Sequence, residues 1–239
     1  MCLYLKIIRP KTQFGIYPMR DYNKGVAVRK SFRSERMTLT RISILASLTL
    51  LLLFVGGCAV SPVAQRTGLV TLNGQPMTLL GNSAQVGEIA PTFKAVANNM
   101  TVFHFRPGHG KVWILSSVPS LDTPVCSLET RHFNLVASTL GKDVGIITIS
   151  MDLPFAQKRW CGDKGVKNIM TLSDYRFHSF AKAYGVLMKQ NGLLARQVVV
   201  VGKNGKIVYM QLVPNIAHPP HYAPVLAAAR RAAAIPYNQ

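Results

Sequence analysis

The sequence predicts an α/β sandwich with a mixed sheet, and three features carry that expectation. Two continuous apolar runs of strand length, KVWILSS (111–117) and VGIITIS (144–150), read as strands covered on both faces. Segments with helical signatures follow each of them. Shorter alternating or turn-linked segments lie on either side, as the outer strands of such a sheet do.

The elements follow in order. LVTLNGQPMTLLG (69–81) holds two short apolar segments around Asn73-Gly74, a hairpin signal. Residues 86–91 are a turn-rich connection, and VFHF (102–105) alternates as a half-buried strand would. A helix is expected over about 125–139, between the two buried strands. PFAQKRWC (154–161) reads as a short helix with proline in its first turn, and RFHSFAKAYG (176–185) as a helix ended by Gly185. Strands at 197–201 and 206–213 are joined by a turn at Gly202-Lys203-Asn204-Gly205, and an Ala-rich helix over 221–234 closes the order.

The front of the chain reads as an address. ISILASLTLLLLFVGG (42–57) is uncharged, follows Arg41 and is short for a bilayer span, so it fits the apolar part of a signal peptide. Val55-Gly56-Gly57-Cys58 resembles a bacterial lipobox, whose cysteine receives a diacylglycerol group. A signal peptide of normal proportions begins at Met37. The expected organisation is therefore an upstream extension (1–36, containing Cys2), a signal peptide (37–57), a tether lipidated at Cys58 (58–68) and one folded domain (69–239). An uncleaved anchor is the alternative for the apolar run. In either case the domain is expected in the bacterial cell envelope, held to a membrane.

Net charge is +19 over 239 residues, and residues 1–41 carry ten Lys or Arg against two acidic residues. From Cys58 onward the positive residues are dispersed, without a basic stripe interleaved with aromatics, so nucleic acid is not an expected partner.

PSLDTPVC (119–126) raises the chemical question, because it puts a cysteine where a buried strand hands over to a helix. Asp122 or Thr123 can cap a helix with Pro124 in its first turn, which places Cys126 in that turn too. Unpaired backbone N–H groups and the helix dipole favour an anion there, and a thiolate is the nucleophilic form of cysteine. Thr123 offers a hydroxyl on the same side. The residues alone leave a second reading open, a small buried cysteine acting as a hydrophobe. Cys126 and Cys161 lie 35 positions apart with no Cys-x-x-Cys pair, so neither a zinc site nor another cofactor is indicated. PGHGK (107–111) lacks the full phosphate-loop pattern and reads as a turn, and the six histidines are scattered.

Pro119-x-x-x-Thr123-x-x-Cys126 resembles the peroxidatic motif of the peroxiredoxins. VPSLDTPVCSLETRHFN followed by ISMDLPFAQKRWC is similar to the thiol peroxidase branch of that family, and the likeness runs from about Leu69 to Ala229. The resemblance implies a thioredoxin-like fold of the peroxiredoxin type, with an N-terminal β-hairpin and a mixed central sheet flanked by helices. It implies a peroxidatic Cys126 and a resolving Cys161 in the same chain. It gives Thr123 the orienting of peroxide, Pro119 the shielding of the thiolate, and Arg196 a place beside the sulfur; Arg196 on its own reads as a strand-end surface charge. It also implies hydroperoxide substrates, a thioredoxin-like protein reductant and a homodimer. Departures are Pro124 where glycine is commoner, Trp160 where phenylalanine is usual, and a longer loop at Gly141-Lys142-Asp143. Two competing readings are a non-enzymatic envelope lipoprotein with a structural Cys126–Cys161 disulfide, and an envelope thiol-disulfide exchange protein. The second calls for the Cys-x-x-Cys pair that the chain lacks.

Overall fold

The apolar runs at 111–117 and 144–150 become neighbouring parallel strands at the centre of a seven-stranded sheet, in a computed structural model that describes residues 63–237. The readings placed on residues 1–57 and on Cys58 lie outside the described residues. The elements are β1 (Gln65–Leu72), β2 (Gln75–Leu80), β3 (Phe93–Ala97), β4 (Val102–Phe105), β5 (Val112–Ser117), α1 (Pro124–Ala137), β6 (Val144–Ser150), α2 (Pro154–Lys164), β7 (Met170–Ser173), α3 (Ser179–Ala183), β8 (Leu187–Met188), β9 (Gln197–Val201), β10 (Ile207–Leu212) and α4 (Tyr222–Ala234). The large sheet runs β10-β9-β5-β6-β7-β3-β4, and β1-β2-β8 form a second, three-stranded sheet. Pairing is parallel along β5-β6-β7 and antiparallel at β5-β9, β9-β10, β7-β3 and β3-β4, so the sheet is mixed, as expected.

The period-two geometry of the central strands sorts their side chains into two cores. Leu115, Ile147 and Val199 pack with Phe93, Phe180, Tyr184 and the hairpin residues Val70 and Leu79. Ile114, Ile146, Val198 and Val200 pack on the other face with Phe133 of α1 and Val225, Ala228 and Ala229 of α4. Both faces of β5, β6 and β9 are thereby covered, which is why their sequences are predominantly apolar.

The hairpin turn has Asn73 and Gly74 both at positive φ (50° and 77°), the combination its two-residue loop favours. Its first strand starts at Gln65, inside the stretch read as tether, because Gln65 and Arg66 pair with Leu80 and Leu79. Three short strands went unread in the sequence: β3, β7 and β8. The helix expected over 176–185 is only Ser179–Ala183, because the buried Asp174 carboxylate accepts the backbone N–H groups of Ser179, Phe180 and Ala181 and fixes its start. Gly185 ends that segment at φ 64°, and a Cβ there would lie 2.1 Å from the Asn82 carbonyl oxygen.

The carboxyl ends of the parallel strands β5 and β6 and the amino end of antiparallel β9 meet at one edge of the sheet, since Ser117 pairs with both Ile149 and Gln197. Loops leaving this edge lead into α1 and α2, and Arg196 immediately precedes β9.

Candidate active site

Helix α1 starts where the sequence requires it to. Thr123 is the cap residue with extended backbone (φ −95°, ψ 147°), and Pro124 takes the first helical position, where a missing N–H costs no hydrogen bond. The Thr123 hydroxyl does not cap the helix, contrary to expectation. It donates to the Ser120 carbonyl at 2.9 Å, which also accepts the Thr123 amide at 3.1 Å. That carbonyl lies in the turn before the helix and captures the hydroxyl, leaving it exposed beside the helix start.

Cys126 is the third residue of α1 and is fully buried. Arg196 Nη2 donates to its Sγ at 3.2 Å. The guanidinium is held on two further sides: Nη1 pairs with the Glu129 carboxylate, and Nε donates to the Ile216 carbonyl at 3.0 Å. Glu129 accepts the Ser116 hydroxyl at 2.7 Å through its other oxygen. Arg196 is 1% exposed and Glu129 0%, so Arg196 is no strand-end surface charge. Burial pushes the Glu129 carboxyl up, opposed by the Arg196 charge and by the hydrogen bonds from Ser116 and Arg196. Burial pulls the guanidinium down, and its electrostatic interactions and hydrogen bonds with Glu129 and Cys126 together more than reverse it. A buried ion whose partner is lost costs several kcal/mol, so each of these groups keeps the other in place, at about 3–5 kcal/mol for breaking such a pair.

The loop over Cys126 is anchored from β6. Asp152 accepts the Ser120 hydroxyl, the Leu121 backbone N–H and the Ser150 hydroxyl, each at 2.7 Å. Pro119 is buried within this loop.

Cys161 is the eighth of eleven residues in α2, one turn before the helix end rather than at it. PFAQKRWC continues helically to Lys164 because Gly165 closes the helix in left-handed conformation (φ 63°, ψ 30°). The two cysteines are unbonded thiols, and both contribute to a small apolar cluster with Val118, Leu121, Trp160 and Val166. Their polar partners differ. Cys126 faces Arg196, whereas Cys161 Sγ lies 3.3 Å from Thr171 Oγ1 and 3.9 Å from Asn98 Nδ2.

The comparisons with known proteins decide the family. The Redoxin family model matches residues 85–226. The thiol peroxidase of Listeria innocua is 47% identical over 163 residues, spanning 68% of this chain and 98% of its own, and that of Bacillus subtilis is 45% identical over 161 residues, spanning 67% and 96%. The chain belongs to the thiol peroxidase branch of the peroxiredoxins. The crystal structure of a peroxiredoxin-like protein from Aquifex aeolicus matches with a TM-score of 0.65 and 39% identity, covering 71% of this chain and 98% of that one. A thiol peroxidase from Chromobacterium violaceum shares the fold at 18% identity and a TM-score of 0.60, over 68% of this chain and 95% of that one.

Two side chains of this peroxiredoxin's site were not singled out from the sequence. Glu129 stands three residues after Cys126, on the same face of α1, and only that spacing hints at a shared partner. Asp152 stands two residues after the end of β6, in the block ISMDLP, where a carboxylate between a strand and a proline-started helix reads as an ordinary turn residue.

Proposed function

We propose that the protein is a thiol-dependent peroxidase that reduces hydrogen peroxide and organic hydroperoxides at Cys126 and resolves the product with Cys161. The single observation that carries this reading is the Arg196 Nη2 contact to Cys126 Sγ at 3.2 Å, from a guanidinium fixed by Glu129 and the Ile216 carbonyl. A cation held there meets negative charge as it develops on the peroxide oxygen. The Cys126 thiolate attacks one oxygen of ROOH, the O–O bond breaks, and RO⁻ leaves and takes a proton to give ROH. Cys126 becomes a sulfenic acid. Thr123, exposed beside the helix start, orients the peroxide, and Pro119 keeps water from the sulfur. Cys161 then attacks the sulfenic sulfur and hydroxide departs as water, leaving a disulfide for a dithiol protein of thioredoxin type to reduce.

The envelope location belongs to the same proposal, on the apolar run 42–57 and the lipobox-like Val55-Gly56-Gly57-Cys58, with homodimerisation carried over from the family. A structural Cys126–Cys161 bridge fits the site less well, because it would leave the buried Arg196 facing a neutral disulfide.

The test is hydroperoxide consumption by the reduced protein with dithiothreitol as reductant. Wild type turns over and Cys126→Ser does not; a tenth or more of wild-type activity in the variant sinks the assignment. Membrane recovery of wild type and its loss in Cys58→Ala tests the anchor separately.

A further inference from the structure

The surroundings of Cys161 contain polar groups that the peroxide step does not use. Thr171 on β7 is buried, and its Oγ1 accepts a hydrogen bond from Asn98 Nδ2 at 2.8 Å. Asn98 directly follows β3, and its other side-chain atom, Oδ1, is buried with no partner. With one lone pair of Thr171 Oγ1 taken by Asn98, the hydroxyl proton is free to point at Cys161 Sγ, 3.3 Å away. Asn98 Nδ2 reaches the same sulfur at 3.9 Å. The sulfur is thus met by donors from β7 and from the residue after β3, at the wall of a surface cavity of about 490 Å³ that Asn98, Cys161 and Thr171 line together.

This arrangement fastens the last turns of α2 to β3 and β7. Asn98 Nδ2 serves both ends of it, donating to Thr171 Oγ1 at 2.8 Å and reaching Cys161 Sγ at 3.9 Å. The fastened sulfur is not the reactive one: burial pushes the Cys161 thiol up, and the hydrogen bonds from Thr171 and Asn98 only partly oppose this. Its hydrogen-bond partners are Thr171 and Asn98, whereas the guanidinium faces Cys126.

We propose that Asn98 and Thr171 are positioning residues for the second half of the reaction, a latch that holds the Cys161 sulfur in hydrogen bonds so that its release limits disulfide closure. This rests on the reading of Cys161 as the resolving cysteine. The latched step is Cys126–SOH plus Cys161–SH giving Cys126–S–S–Cys161 plus water: Cys161 yields its proton to solvent, its sulfur attacks the Cys126 sulfur, and the S–O bond breaks as hydroxide leaves and is protonated. While the latch stays closed, the sulfenic acid stands open to a second peroxide and to overoxidation. Asn98 and Thr171 therefore set the peroxide concentration at which the enzyme inactivates itself.

Stopped-flow fluorescence of the reduced full chain, with Trp160 beside Cys161 as reporter and one equivalent of hydrogen peroxide, resolves oxidation from closure. Thr171→Val removes the hydroxyl at nearly constant volume. Closure is expected to accelerate about fivefold relative to the oxidation phase, the factor that loss of one net hydrogen bond of about 1 kcal/mol gives. Intact-mass measurement at excess peroxide should show a smaller overoxidised fraction. Thr171→Ser, which restores the donor, should return both readouts to wild type, and a merely structural role would not show that rescue. Asn98→Ala, at the partly exposed end of the latch, provides the same test should Thr171→Val fail to fold. Closure that is unchanged or slower in Thr171→Val and Asn98→Ala overturns the latch. Wild type that shows no intramolecular disulfide at all overturns the role of Cys161, and the latch with it.

Discussion

Glu129 and Cys126 lie one helical turn apart on α1 and share the guanidinium of Arg196, one through Nη1 and the other through Nη2. The arginine is therefore fixed on one side by a carboxylate that the same helix supplies and on another by the Ile216 carbonyl. Arg196→Met should slow the peroxide step by about 10²–10³-fold, the usual effect of deleting one donor aimed at developing charge. It should also destabilise the fold by about 3–5 kcal/mol, because Glu129 is left buried and unpaired. Single-turnover kinetics and urea denaturation check the two effects. The double variant Arg196→Met with Glu129→Gln should recover stability without recovering rate, which separates positioning from catalysis. Recovery of both would remove Arg196 from the chemistry.

Thr123 makes a different contribution. Its hydroxyl donates to the Ser120 carbonyl, and the residue is exposed beside the helix start. Thr123→Val should lower the rate of the peroxide step by roughly 10²-fold, in line with a misplaced reactant, and should leave iodoacetamide alkylation of Cys126 nearly unchanged. Thr123→Ser should retain most of the rate. A valine variant as fast as wild type with peroxide would show that the hydroxyl serves only the turn.

Cys161→Ser should react once per chain with peroxide and then stop when the reductant is a dithiol protein. With no resolving thiol, the sulfenic acid persists and overoxidises more readily. Counting peroxide consumed per chain gives the result directly, and repeated turnover with such a reductant would assign resolution to some other group.

What the sequence revealed depended on whether burial follows pattern. The runs at 111–117 and 144–150 each carry at least four apolar residues around their buried Ser116, Ser117, Thr148 and Ser150, and could be read outright. The strand β7 could not, because MTLS carries two polar residues, Thr171 and Ser173, that are buried through hydrogen bonds rather than by apolarity. The site divides in the same way. Pro119, Thr123 and Cys126 fall in one stretch whose spacing states the chemistry. Arg196 comes from 70 residues away, and no local signal marks a lone arginine before a strand as buried. Glu129 was missed because a glutamate on an amphipathic helix is ordinarily solvated, and its partner becomes visible only once β9 lies beside α1.

Asp174 supplies a test of the fold that is independent of the peroxide chemistry. Its buried carboxylate accepts three backbone N–H groups at the start of α3. Burial pushes its pKa above the ordinary value of 3.8, and those backbone donors, with the nearby His178, oppose the shift without cancelling it. The folded state therefore binds this proton more tightly than the unfolded state does. The resulting stabilisation is complete below about pH 3.8 and is lost as the pH rises through the folded-state value. Asp174→Asn keeps one acceptor oxygen but turns an NH₂ group toward backbone donors, at a cost of about 1–3 kcal/mol. That cost does not titrate. The stability gap between wild type and Asp174→Asn should thus be widest in acid and narrow as pH increases. Urea denaturation of both proteins at steps between about pH 3 and 7 measures it. A gap that widens with pH would mean that the three N–H donors outweigh burial and that the folded carboxyl titrates below 3.8.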